Sequence, residues 1–469
     1  GRSVSREGAI TRVERYFGDG GLLNDLSRRV AIPTASQEPS RLPELRRYLV
    51  DEMVPCLDAM GFTCQIIENS VPGNGPFLVA RRMEADDLLT VMSFGHGDVI
   101  SGQEGQWKDG LDPWQVTVVD DRWYGRGTAD NKVQHTINMA AMAAVLEERG
   151  KLGFNVVMLI ETGEETGSLG LRELCTENRD LFDADLFLAS DGPRARPDQP
   201  TIFLGSRGTF NFKMNVDLRD GGHHSGNWGG LLANPGVILA HAIAAIISDT
   251  GTLQIPAWRL DHIPDSVRGA LASITVDGGE DGPEIDPHWG EPGMSAIEKI
   301  VACNSFEVLA FKTGNPDNPV NAIPPKAVAD CHVRYVVPFQ MDDMMSALRA
   351  HLDERGFGMV TLALEQDGMQ ATRLDPDHPW VHWAVESMEK TTGQEIAVMP
   401  NLGGSLPNDV FADLLGIPTV WVPHSYASCS QHAPNEHVLA PVCHDALRIM
   451  AGLWWDLGDV DRDFVLSAH

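Results

Sequence analysis

Three apolar runs in the first 200 residues each stop at residues that carry chemistry, and this repetition limits what the chain can fold into. Residues 88–94 run into Gly95-His96-Gly97-Asp98, and residues 154–160 into Glu161-Thr-Gly-Glu164-Glu165-Thr-Gly-Ser168. Residues 184–189 lead to Ser190-Asp191-Gly192. Runs of this length, rich in branched side chains, read as strands buried on both faces of a parallel sheet. Helical spacing lies between them, at 133–149 (Val133, Ile137, Ala141, Ala144, Val145) and around 169–176. Strands alternating with helices predict an α/β fold with a mostly parallel sheet. In such sheets ligands bind beyond the carboxyl ends of the strands. Taken alone, the acidic cluster at 161–168 reads equally well as a solvated loop or as a site. Three strands ending alike favour the site.

Further helical spacing covers 9–30 and 40–60, and short strands are expected at 62–67 and 77–80. A polar loop leads to Tyr124-Gly-Arg-Gly-Thr-Ala-Asp130, just ahead of the 133–149 helix. From Arg207 the pattern changes: Phe210, Phe212, Met214, Val216 and Leu218 alternate with polar residues, as in a half-buried strand. A helix at 235–248 and a Gly/Pro/Asp-rich insert at 250–295 follow, with a short helix at 295–303. Then come strands at 305–313 and 327–337, a helix at 341–355 and a strand at 359–366. The order β-α-β-β-α-β is the ferredoxin-like arrangement. The spacing therefore predicts a second, α+β domain over 207–370, inserted into a catalytic domain made of 1–206 and 371–469. A chain of 469 residues is long for one core. The first domain resumes with a helix at 379–392, Asn401-Leu-Gly-Gly-Ser405, a strand at 417–422, and Gln431-His432-Ala-Pro-Asn-Glu436-His437.

Composition narrows the partners. With 36 basic and 66 acidic residues the formal charge is −30, which argues against nucleic acid or an anionic membrane as a partner. Seven scattered cysteines without a C-x-x-C pair read as a reduced inventory. With no apolar signal core and no run of 18 apolar residues, a cytoplasmic protein is expected.

Carboxylates and imidazoles on separate strand ends suit borderline divalent metals, zinc above all. Two histidines and three acids are enough for two ions sharing one carboxylate, which would polarise a carbonyl and activate a water. A free carboxylate beside them would shuttle the proton. Glu164 and Glu165 supply one acid for each task, and sequence alone leaves open which does which. His96-x-Asp98 offers an imidazole with an acid near enough to orient it.

These segments resemble the M20 family of co-catalytic metallopeptidases, which includes carnosinase-like dipeptidases, glutamate carboxypeptidases and acetylornithine or succinyl-diaminopimelate deacylases. The resemblance lies in Gly95-His-Gly-Asp98, Tyr124–Asp130, Glu161–Ser168, Ser190-Asp-Gly192 and Gln431–Glu436, in the family's order. It implies that His96 and Asp191 hold one metal, Glu165 and His432 the other, and that Asp130 bridges. Glu164 would be the general base and Asp98 the orienting acid. The ions would be zinc, with manganese or cobalt as alternatives. The inserted domain would be a lid that also forms a homodimer. His224, in Gly222-His-His-Ser-Gly226, would stabilise the oxyanion in the neighbouring subunit's site. Asn321, Arg334 and Ser405 would bind substrate. Independently, Arg334 lies opposite the apolar positions Cys331, Val333 and Tyr335, where a guanidinium can clamp a carboxylate. His135, His241, His332, His424 and His437 are read as structural or solvated.

The sequence departs from the family at Val133-Gln134, where a glycine usually follows the lysine, and at Ala433, where serine is common. The implied activity is hydrolysis of the amide bond of a small dipeptide or N-acyl amino acid with a free carboxylate. Alternatives are an aminohydrolase or deacylase recruited to an aromatic or xenobiotic substrate, and a metal-binding scaffold without catalysis. A nucleotide-binding enzyme is opposed by the lack of a Gly-rich phosphate loop after the first strands.

Overall fold

The computed structural model describes residues 3–276, 282–365 and 368–469. The last residue of the strand expected at 359–366 and a short piece of the 250–295 insert lie outside them. Eight strands form the main sheet: β1 (Thr63–Ile67), β2 (Phe77–Arg82), β3 (Thr90–His96), β4 (Asn155–Glu161), β5 (Leu186–Ala189), β6 (Thr201–Phe203), β7 (Ala397–Met399) and β8 (Thr419–Trp421). Their order is β1-β2-β4-β3-β5-β8-β6-β7. The four central strands β4, β3, β5 and β8 are mutually parallel. β2 runs against β4, and β6 runs against β8. The sheet is thus mixed, and parallel where its strands are most apolar. Every residue of β4 is buried, as a strand covered on both faces requires.

Helices Arg6–Gly18, Val133–Arg149 and Ala440–Leu457 pack together on one face. The other face is aromatic: Phe187 stacks on Phe411, and Phe203 on Trp421. The helix expected over 9–30 is divided at Gly20, whose φ of 84° takes the left-handed conformation open to glycine.

A second sheet, wholly antiparallel, has the order Ser305–Thr313, Lys326–Tyr335, Gly208–Asp217, Thr361–Leu364. Burial alternates along its two central strands. Phe210, Phe212, Cys331 and Val333 thereby join a core with residues of helices Pro235–Ile246 and Met341–Glu354. Thr209, Asn211, His332 and Arg334 point to the opposite face. The 250–295 insert behaves differently. Ile263, Val267, Leu271 and Ile274, with Ile297 and Val301 just beyond it, share a core with Phe187, Phe203 and Trp421 of the main sheet.

Candidate metal centre and substrate cleft

The parallel register sets His96, the last residue of β3, against Glu161, the last of β4. A tight turn at Glu164–Thr166 then points two carboxylates back over the sheet edge. β5 delivers Asp191 two residues past its end. Asp130 comes from the turn that opens the 133–149 helix, and His432 from a loop where it adopts φ 62°.

These side chains converge. His96 Nε2 lies 2.9 Å from Asp130 Oδ1, 3.5 Å from Glu164 Oε2 and 3.7 Å from Asp191 Oδ2. His432 Nε2 lies 3.0 Å from Asp130 Oδ2 and 2.9 Å from Glu165 Oε2. Donor atoms of His96, Asp130, Glu164 and Glu165 all fall within 4.8 Å of one another. Burial and the neighbouring Glu165 push the pKa of Glu164 well up, and burial and Asp130 do the same to Glu165. Asp191 rises to about 6 by burial and the Asp130 charge. Asp130 goes the other way: burial opposes its ionisation, but His432 and His96 hold its pKa well below the usual carboxylate range. Burial also opposes a charged His96, yet Glu164 and Asp130 outweigh it and raise its pKa.

Glu165 Oε1 and Asp191 Oδ2 are buried without a hydrogen-bond partner among the described residues. Buried acceptors left bare beside like charges are costly unless a cation takes them. Two imidazoles and four carboxylates of this kind fit divalent metal ions.

Supporting contacts hold the donors in place. Asp98 accepts the backbone N–H groups of Glu164 (3.1 Å) and Glu165 (3.0 Å) and the Ser36 hydroxyl (2.6 Å). The His96 Nδ1 atom sits 2.9 Å from the Asp98 carbonyl oxygen and 3.4 Å from its carboxylate. Glu436, quoted above within a motif but given no role, accepts from the N–H groups of Gly127, Ala129 and Asp130 and from the buried Arg126 guanidinium. Its place four residues after His432 was the available signal. Gln431, also without a role above, donates to Asp130 Oδ2 at 2.8 Å. Gln134, next to the Val133 that stands where the family usually has glycine, has a structural use. Its amide nitrogen reaches the carbonyls of Ala129 and Gly192, and its oxygen accepts the N–H of His424.

A cleft of about 960 Å³ joins this cluster to Arg334 and Ser405. Arg334 Nη1 donates to Ser405 Oγ at 2.8 Å, and Ser405 in turn donates to the Arg207 carbonyl at 2.7 Å. Burial and the adjacent Arg334 charge lower the pKa of Arg207 to about 10. Burial, Arg334 and Arg207 together hold His332 near 4. Among the described residues no carboxylate forms an ion pair with either arginine, so this end of the cleft carries uncompensated positive charge.

Two expected site residues lie elsewhere in the chain. His224 is exposed, on a two-residue strand paired with Ala322, and its Nδ1 accepts the Gly226 N–H at 3.1 Å. Asn321 is exposed beside it, its carbonyl accepting the Ser225 N–H at 2.9 Å. Neither lines the cleft of its own chain.

Known proteins resemble the chain over most of its length. A family profile described as Peptidase family M20/M25/M40 matches residues 92–456. The cysteinylglycine-S-conjugate dipeptidase of Corynebacterium striatum is 26% identical over 335 residues, 68% of this chain and 70% of that protein. The beta-Ala-His dipeptidase of Mus musculus is 31% identical over 273 residues, 54% of each chain. Among solved structures, the dipeptidase Dug1p from Saccharomyces cerevisiae shares the fold, with a TM-score of 0.81 at 17% identity over 98% of this chain and all of that one. The chain belongs to peptidase family M20/M25/M40, whose members are metal-dependent, and is a hydrolase of the metallopeptidase and amidohydrolase class.

Proposed function

We propose that the protein hydrolyses the amide bond of a small dipeptide or N-acyl amino acid bearing a free carboxylate. The observation that carries this reading is the cleft itself, with metal-type donors at one end and, at the other, Arg334, which forms no ion pair among the described residues. The dipeptidase names of the relatives support it.

In this reading His96 and Asp191 would hold one divalent ion and Glu165 and His432 a second, Asp130 would serve both, and zinc is the first choice with manganese or cobalt as alternatives. Divalent ions held there would polarise the scissile carbonyl and make a water a better nucleophile. Glu164 takes the proton from the attacking water and returns it to the leaving amine. Burial and the neighbouring Glu165 raise its pKa, which makes it a stronger proton acceptor than an ordinary carboxylate. Asp98 fixes Glu164 through its backbone N–H. Arg334 and Ser405 clamp the substrate carboxylate and so direct the amide toward the donor end of the cleft.

The domain at 207–370 acts as a lid and joins two copies, and His224 of the partner subunit completes the oxyanion site. The edge strand Ser305–Thr313 exposes Leu309 and Phe311, and Val320 stands 71% exposed nearby. Exposed apolar edges of this kind call for a partner. The seven free thiols suit a reducing compartment such as the cytoplasm. No described helix is long and apolar enough to cross a membrane.

Glu164→Ala tests the assignment. Turnover should fall about 10²- to 10⁴-fold, while metal content by elemental analysis stays at the wild-type level. Near-wild-type turnover would remove Glu164 from the reaction.

A further inference from the structure

We infer that the cleft selects a large apolar or aromatic side chain on the substrate residue that bears the free carboxylate, received by a wall of Ile285, Trp289 and Ile300. The inference rests on the reaction proposed above and names its substrate class.

The three side chains line the same cleft as the metal-type donors and Arg334. They are 51%, 49% and 38% exposed. Two of them are demonstrably held. The Trp289 indole covers Gly251, where a Cβ would come within 2.5 Å of the ring. The Trp289 carbonyl accepts Lys299 Nζ at 2.8 Å, and the Gly290 N–H donates to the Thr250 carbonyl at 2.9 Å. Ile300 lies on the helix Ala296–Val301, which opens with a Ser295/Glu298 capping box. At the other end of that helix, Asn401 Nδ2 donates to the Val301 carbonyl at 2.9 Å.

One loop connects this wall to the carboxylate clamp. Ile300 packs over Gly403, where a Cβ would meet its Cγ2 at 2.4 Å. The Gly403 carbonyl accepts Arg207 Nε at 2.7 Å, and two residues on Ser405 accepts Arg334. Ile300 and Arg334 thus touch the same short loop, and in the proposed binding mode a residue whose carboxylate rests on Arg334 turns its side chain toward Ile300. Apolar groups left wet in a concave site gain most from an apolar occupant. The charged Lys299 on this wall already donates to the Trp289 carbonyl.

The test uses the full-length, zinc-loaded protein. Calorimetry compares free L-phenylalanine with glycine, and kinetics compares Ala-Phe with Ala-Gly, Ala-Lys and Ala-Asp. Phenylalanine should bind about ten- to a hundredfold more tightly than glycine, and kcat/KM should favour Ala-Phe to a similar degree. Trp289→Ala and Ile300→Ala should each shrink both ratios severalfold, with the kinetic change carried by KM. Equal binding of phenylalanine and glycine, a preference for Ala-Lys or Ala-Asp, or ratios that survive both substitutions would overturn the inference. Tight, wall-dependent binding of phenylalanine with no dipeptide cleaved would instead leave the wall standing and sink the proposed reaction.

Discussion

Glu161 closes β4 buried, with Oε1 accepting the Ser168 hydroxyl at 2.6 Å and Oε2 without a partner among the described residues. Burial and the nearby Asp98 charge push its pKa up to about 8. In the folded protein it keeps a proton that the unfolded chain, ionising near 4.5, has already lost. The native state binds more protons across that window, so this contribution to stability is present in acid and is lost as pH rises through the folded pKa. Glu161→Gln keeps the shape and removes the titration. Relative to that variant, wild type should lose stability steadily between about pH 5 and about pH 8, read by denaturant unfolding at each pH. A difference that stays flat with pH would mean that Glu161 is ionised throughout. Adjacent acids such as Glu164 and Glu165 cannot be told apart in a sequence. Their difference lies in which one faces His96 and which faces His432.

The turn at 125–132 owes its shape to a residue three hundred positions away. Glu436 gathers three of its N–H groups together with Arg126, and the N–H of Asp130 is among them. Glu436→Ala would leave the Arg126 charge buried without its acid, a loss of about 3–5 kcal/mol. It should also weaken metal binding about 10- to 100-fold, because Asp130 loses its anchor. Unfolding curves and competition with a chelator measure the two effects, and unchanged metal affinity would show that the turn holds itself. The long periodic elements of the chain were legible, since β3, β4 and the helix at 133–149 repeat their pattern several times. β6 and β7, three residues each, are too short to show a period. The helix Ala440–Leu457 was not anticipated either. Its half-exposed His444, Asp445, Arg448 and Asp456 do recur at helical spacing on one face, so its polar stripe was there to be read. Four of the candidate donors, His96, Glu164, Glu165 and Asp191, follow strand ends and could be read from the spacing, whereas Asp130 and His432, on a turn and a loop, came only through the family resemblance. Their supporting contacts were not legible, because Glu436 and Gln134 reach partners distant in sequence.

The whole molecule raises the question of how many copies a working site needs. His224 and Asn321 sit on the exposed side of the antiparallel sheet's domain, outside the cleft of their own chain. If two copies share sites, mixing inactive His224→Ala with inactive Glu164→Ala protein should restore activity. One intact site then forms per mixed dimer, roughly a quarter of wild-type activity at statistical exchange. No recovery, with mixed dimers verified by mass, would confine His224 to a role outside the reaction. The packing of the insert bears on the motion of that domain. The chain passes between the two cores at 206–208, again between Trp258 and Ile263, back between Ala302 and Phe306, and finally between 364 and 372. A boundary stitched four times is stiffer than a two-strand hinge. Four crossings tie the two cores together at separate points and limit how far they can part.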